Sequence, residues 1–251
     1  MSNVILHKHP LKISIVYHKR EQKSILKNLA IDNLVVFVII IPMSKAQRKA
    51  EKLNSNYLYI SKIPSDIKID DVYPKERNQE LKRCVNQDVK AQKFWAWKVL
   101  DSALNDLFFK RIDSFKVKKN KYGKWNIKGV KFSVSHSNNV VAVAVGKKNI
   151  AIDIEEISGF LEKYQDENKR QLLINRILSK KEQAPSTAID LLGLWTKKES
   201  LYKLKGRGKF LPSKLNTSHK KFTLEQIVID DKEYLLCIIN KDKKKIQIRY
   251  V

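Results

Sequence analysis

Strand-like segments on either side of helical ones predict an α+β fold for this 251-residue chain. Three observations carry that prediction. Residues 57–60 (Tyr-Leu-Tyr-Ile) are a run of aromatic and aliphatic β-formers. Residues 76–107 are rich in helix formers, and Phe94, Trp97, Leu100 and Leu104 recur there at spacings of three and four. Ile150, Ile152 and Ile154 alternate with Ala151, Asp153 and Glu155, the period of a strand.

In chain order, residues 1–53 carry two basic stretches, 11–27 and 44–52, around the apolar run 34–43, with no turn chemistry that organises them. The strand at 57–60 is ended by Pro64-Ser65-Asp66. The helix over 76–107 follows, then a basic loop at 118–124. Residues 132–135 and 140–145 predict two strands of a hairpin across His136-Ser137-Asn138-Asn139, whose Asn pair suits a tight turn. Gly146-Lys147-Lys148-Asn149 leads into the strand at 150–155. Helices are expected over 161–183 and 188–205, the second stopped by Gly206. Residues 222–228, 234–239 and 246–251 complete an expected antiparallel set.

The balance of 51 Lys and Arg against 26 Asp and Glu, a net charge of +25, excludes an acidic solvating chain, and 43% hydrophobic content excludes a disordered one. Such charge suits an anionic partner: nucleic acid, a membrane surface, or acidic small molecules and proteins. Lysines spread over solvated faces account for it equally well. Cys84 and Cys237 lie far apart and suggest neither a disulfide scaffold nor a zinc module. The longest apolar run stops at about ten residues, short of a membrane span. No targeting signal is read, so a cytoplasmic protein without a membrane partner is expected.

Asp153 and Glu155 stand two apart on the predicted strand, so both carboxylates leave one face while Ile152 and Ile154 anchor the other. That spacing makes a hard divalent cation site possible, because Mg²⁺ takes one or two carboxylates and completes its shell with water and phosphate. Alone, the pair is equally an ordinary solvated strand face. Trp195, Glu199 and Lys203 follow an i, i+4, i+8 rule and share a helical face. Surface Glu and Lys pairs have the same spacing. Gly206-Arg207-Gly208-Lys209 reads as a helix stop. Ser135-His136-Ser137 lacks the G-x-S-x-G elbow of a hydrolase, which leaves His136 a structural residue or a phosphate donor.

Together, FSVSHS (132–137), IAIDIEEI (150–157) and LWTKKESLYKLKGRGKFLP (194–212) resemble the motifs of the Sfp-type 4′-phosphopantetheinyl transferases, F-x-x-S-H-S, G-[IV]-D-[IV]-E and W-x-x-K-E-[SA]-x-x-K-x-x-G-x-G. Tyr122-Gly123-Lys124 resembles the family's G-K-P element, and Pro74-Lys75-Glu76-Arg77 its basic entry to the first helix. The resemblance spans residues 55–250 and implies a pseudo-dimer of two similar α/β halves, each a small antiparallel sheet with a packed helix. The active site would lie in the cleft between residues 54–149, which bind coenzyme A, and 150–251, which hold the metal and catalytic groups. It implies transfer of the phosphopantetheine arm of coenzyme A to a serine of an apo acyl or peptidyl carrier protein, with release of adenosine 3′,5′-bisphosphate. Asp153, Glu155 and Glu199 would hold Mg²⁺ or Mn²⁺; Glu199 would also act as base, and Lys203 would meet the transferring group. Arg77, Lys93, Lys124, Ser135 and His136 would contact coenzyme A. A monomer is implied, with no nucleic-acid partner.

The chain departs from the family pattern at Ala151, where glycine is usual, and at Trp125, where proline fixes the backbone after Gly123-Lys124. Residues 1–53 have no counterpart; either Met43 is the effective start or the stretch is a lineage-specific extension. The runner-up reading is a non-catalytic, basic nucleic-acid-binding protein, which accounts for the charge but not for the three motifs.

Overall fold

A computed structural model describes residues 55–240 and 246–251, together with the backbone of three strands nearer the N-terminus. The chain divides into two compact units, Met1–Lys52 and Leu53–Val251. In the first, β1 (Ser14–Ile15), β2 (Ile25–Ile31) and β3 (Leu34–Ile40) form a sheet of order β1-β3-β2, with Ile31 opposite Leu34 in the antiparallel β2–β3 ladder. A region expected to lack organisation thus carries a sheet, and most of the apolar run is its strand β3. The basic stretch at 44–52 and Met43 lie outside the described residues.

The second unit is a mixed α+β structure with five helices among the described residues. Strand β4 (Tyr57–Lys62) is followed by α1 (Lys75–Lys82) and α2 (Gln87–Phe108), not by one continuous helix. The break has a local cause. The Asn86 side chain accepts the backbone N–H of Val89 at 2.9 Å and starts a new helix there. A small hairpin, β5 (Val117–Lys119) and β6 (Trp125–Ile127), leads to β7 (Lys131–Ser137) and β8 (Val140–Gly146). Strand β7 runs on through His136 and Ser137, and only Asn138 and Asn139 turn, with Asn138 at φ +49°.

Strand β9 (Ile150–Glu156) leads into α3 (Ile157–Lys163) and α4 (Glu167–Ile177), which replace the single helix expected over 161–183. Asp166 divides them by capping the N–H of Lys169 at 2.8 Å. Helix α5 (Ala188–Lys205) matches its expectation; Thr187 and Asp190 form a capping box, and Gly206 ends it at φ +62°, a conformation few side-chain-bearing residues adopt. Strands β10 (Thr223–Ile229) and β11 (Lys232–Asn240) extend β9 into an antiparallel sheet of order β10-β11-β9. The last strand, β12 (Gln247–Tyr250), departs from the expected antiparallel set and adds parallel to β4, in a sheet of order β12-β4-β8-β7. Its side chains explain the choice. Ile248 packs into the core between the sheets, while Arg249 lies 4.5 Å over the Tyr57 ring and ion-pairs with Asp106.

Period-2 alternation divides the core. Tyr57, Tyr59, Val141 and Val143 face Trp97, Leu100 and Leu104 of α2. Leu58, Ile60, Val140 and Ala142 face Ile152, Ile154, Tyr234 and Leu236 of the second sheet. The other face of that sheet, with Ala151 and Ile239, is covered by Leu201 of α5. Between the sheets runs a seam of hydroxyls: Ser133, Ser135 and Ser137 accept the N–H groups of Ile152, Ile154 and Glu156 at 3.2, 3.2 and 3.0 Å. β11 pairs the other edge of β9, so these serines satisfy N–H groups that no strand reaches. Among the described residues, no helix is long and apolar enough to cross a membrane.

Candidate active site

The acidic face of β9 is not solvated. Helix α5 lies over it, and Asp153 is 3% exposed. The spacing of four along α5 brings Trp195 and Lys203 onto the two carboxylates. Asp153 Oδ1 accepts Lys203 Nζ at 2.7 Å and Ser135 Oγ at 2.8 Å, and Lys203 Nζ also donates to Ser135 Oγ at 2.9 Å. Glu155 accepts Trp195 Nε1 at 3.1 Å on one oxygen and Ser137 Oγ at 3.2 Å on the other. The serine seam thus holds strand β9 with its hydroxyl lone pairs and the carboxylates with its protons.

Two features show that burial leaves these carboxyls short of polar partners. Asp153 Oδ2 is buried without a hydrogen-bond partner. Burial, reinforced by the charge of Asp153, pushes the Glu155 carboxyl well above the usual carboxylate range. Burial likewise raises Glu199 to about 6, with Lys203 opposing and Asp153 adding to the rise. Among the described residues, no group of three or more His, Cys, Asp or Glu forms a ready-made metal cage. Asp153 and Glu155, both carboxyls and one with an orphaned oxygen, have the oxygen chemistry that a hard divalent cation takes.

Next to this cluster is a cavity of about 330 Å³. It gathers four cations expected from the sequence, Arg77, Lys93, Lys124 and Lys203, and the imidazole of His136, together with the rings of Trp97, Tyr122, Trp125, Phe132 and Tyr202. Cations among aromatic faces suit a ligand that joins phosphates to a flat heterocycle. Arg77 lies 4.8 Å over Trp97, donates to the Lys93 carbonyl at 2.8 Å and to Glu80 at 3.0 Å, and leaves its buried Nε without a partner. Burial lowers its pKa against the pull of Glu80. His136 is pushed down to about 4, first by burial and then by Lys203 and Lys93, so it is neutral at pH 7.

Two expected ligand contacts are placed differently from the rest. Ser135 is buried in the seam and is not part of the cavity lining. Lys124 lines the cavity, but its ammonium donates to the Lys203 carbonyl, while Asn120 Nδ2 donates to Gly206 O at 3.0 Å. The β5–β6 loop thus caps the C-terminus of α5, whose last carbonyls need donors. The side chain of Trp125 is tied into the site. Its ring lies 5.4 Å from Trp97, and its Nε1 donates to Glu80 at 3.1 Å.

Sequence reasoning missed Glu80, which joins Arg77, Trp125 and, at 3.4 Å, Lys119. Its signal was the i, i+3 spacing from Arg77 in a predicted helix. It also missed the seam, which the period-2 repeat Ser133, Ser135, Ser137 announces. The sequence matches no known family model and no curated protein. The likeness to a family therefore rests on the three motifs and on the site they build.

Proposed function

We propose that this protein transfers the 4′-phosphopantetheine arm of coenzyme A to a serine of an apo carrier protein and releases adenosine 3′,5′-bisphosphate. The observation that carries the reading is convergence. Motifs 58 residues apart, FSVSHS (132–137) and WTKKESLYK (195–203), join the acidic pair of β9 in one cluster, beside a cavity of cations and aromatic rings. In the same reading, residues 54–149 and 150–251 are related halves around the sheets covered by α2 and α5, with β12 of the second range pairing with β4 of the first. The protein acts as a cytoplasmic monomer.

The carrier serine oxygen attacks the β-phosphorus of coenzyme A, a phosphodiester forms, and the bond to the adenosine bisphosphate oxygen breaks. Glu199, with a pKa of about 6, is largely ionised at neutral pH and close enough to it to accept the serine proton. Lys203, held by Asp153 and Ser135, presents its ammonium to the phosphoryl oxygens, where charge grows in the transition state. Arg77, Lys93 and His136 hold the remaining phosphates, and the indoles of Trp97 and Trp125 bound the space beside them. Asp153, Glu155 and Glu199 would hold Mg²⁺ or Mn²⁺, which when bound neutralises pyrophosphate charge.

The test is the intact mass of an apo acyl and an apo peptidyl carrier protein after incubation with this protein, coenzyme A and Mg²⁺, with an EDTA control. One added phosphopantetheine that disappears with EDTA is expected. Unchanged carriers of both kinds, with no coenzyme A bound in a parallel calorimetric titration, overturn the reading.

A further inference from the structure

A groove of about 530 Å³ shares Lys124, Trp125 and Phe132 with the basic cavity but opens beyond it. It is lined by Lys116, Lys118, Lys128, Lys131 and Lys205. Through Asn149, Leu204 and Lys205 it adjoins a second groove of about 600 Å³, to which Arg207, Lys220 and Lys221 belong. Among the described residues, no Asp or Glu lines either groove, and none of these eight cations forms an ion pair. All eight are exposed. A row of unpaired like charges repels itself, and a polyanion laid along it removes that repulsion.

We infer that the joined grooves bind the phosphate backbone of a nucleic acid, without reading its sequence. Of the apolar residues of the first groove, Ile127, Val130, Phe132 and Ile150 are buried and Trp125 and Leu204 half-buried, while its five lysines beyond Lys124 are exposed, so charge and not apolar area dominates its surface. It offers exposed ammonium groups, which suit phosphates and release their counterions. The inference is independent of the transferase reading and reverses the expectation of no nucleic-acid partner. The sequence shows these lysines scattered, and the fold collects them.

The test is fluorescence anisotropy of labelled single-stranded and duplex oligonucleotides of about 20 nucleotides, titrated with the full chain over a series of salt concentrations. One variant carries Lys116, Lys118, Lys128 and Lys131→Gln; a control of equal charge carries Lys110, Lys169, Lys180 and Lys181→Gln. All eight positions are exposed, so both variants are expected to fold. The groove variant should lose at least about tenfold in affinity and about three to four in the slope of log K against log salt, while the control keeps both. Equal losses in the two variants, or no oligonucleotide binding by the wild type, overturn the proposal. So does a groove variant that keeps oligonucleotide binding and loses capture of an acidic apo carrier protein. Carrier modification by the groove variant, measured alongside, reports on the transferase reading separately.

Discussion

Asp153 shows how one residue can hold several roles apart. One of its oxygens is saturated by Lys203 and Ser135 while the other is buried and bare. Asp153→Asn keeps the shape but removes the charge facing Lys203, so carrier modification should fall about a hundredfold or more with the near-UV circular dichroism spectrum unchanged. His136 makes a prediction about protons. Its pKa is about 4 in the folded protein and about 6.5 unfolded, so stability is present above about pH 6.5 and is lost as pH falls towards 4. A phosphate bound beside it raises that pKa. Titration of adenosine 3′,5′-bisphosphate at about pH 5.5, in buffers of different ionisation heat, should show proton uptake that His136→Asn lacks.

Among the elements, helix α5 is anchored from beneath by a buried ion pair. Lys198, 0% exposed, meets Glu182, which also accepts the N–H and hydroxyl of Thr217 at 2.6 Å each. Burial alone would raise the Glu182 pKa, but Lys198, Thr217 and the Ser179 N–H hold it down at about 2. Its stabilisation is therefore complete above about pH 4.5 and is lost as pH falls towards 2. Glu182→Ala strands the Lys198 charge and should cost about 3–5 kcal/mol in urea unfolding, whereas Glu182→Leu with Lys198→Met should recover most of that loss. The seam makes a different prediction. Ser133, 4% exposed, touches neither Asp153 nor Lys203 in the hydrogen bonding observed, and Ser133→Ala orphans the Ile152 N–H. A loss of about 1–3 kcal/mol is expected, with faster hydrogen exchange at the Ile152 amide and little change in carrier modification.

On the scale of the whole molecule, every residue of the candidate site lies within Leu53–Val251. A chain of residues 53–251 should fold by itself, keep its thermal midpoint within a few degrees and modify carrier protein as the full chain does. A molten fragment with no cooperative transition would show that residues 1–52 support the fold. Strand β12 belongs to this scale as well. It comes last in sequence but completes the sheet that begins with β4, so that sheet joins strands from both ends of the unit.

What the sequence determined alone is what local periodicity and local chemistry encode. The strand alternation at 150–155, the apolar stripe of α2, the Gly206 stop and the spacing of Trp195, Glu199 and Lys203 are all legible because each depends on residues within a turn or two of one another. Helix boundaries set by one side chain, at Asn86 and Asp166, were hidden among many polar residues of equal plausibility. Only the tertiary structure decided which face of β9 is buried, that Ser135 sits in a seam, that Lys124 caps α5, and that scattered lysines share a groove. Those outcomes depend on partners tens of residues away, and no pattern within a single segment reports which distant surface will cover it.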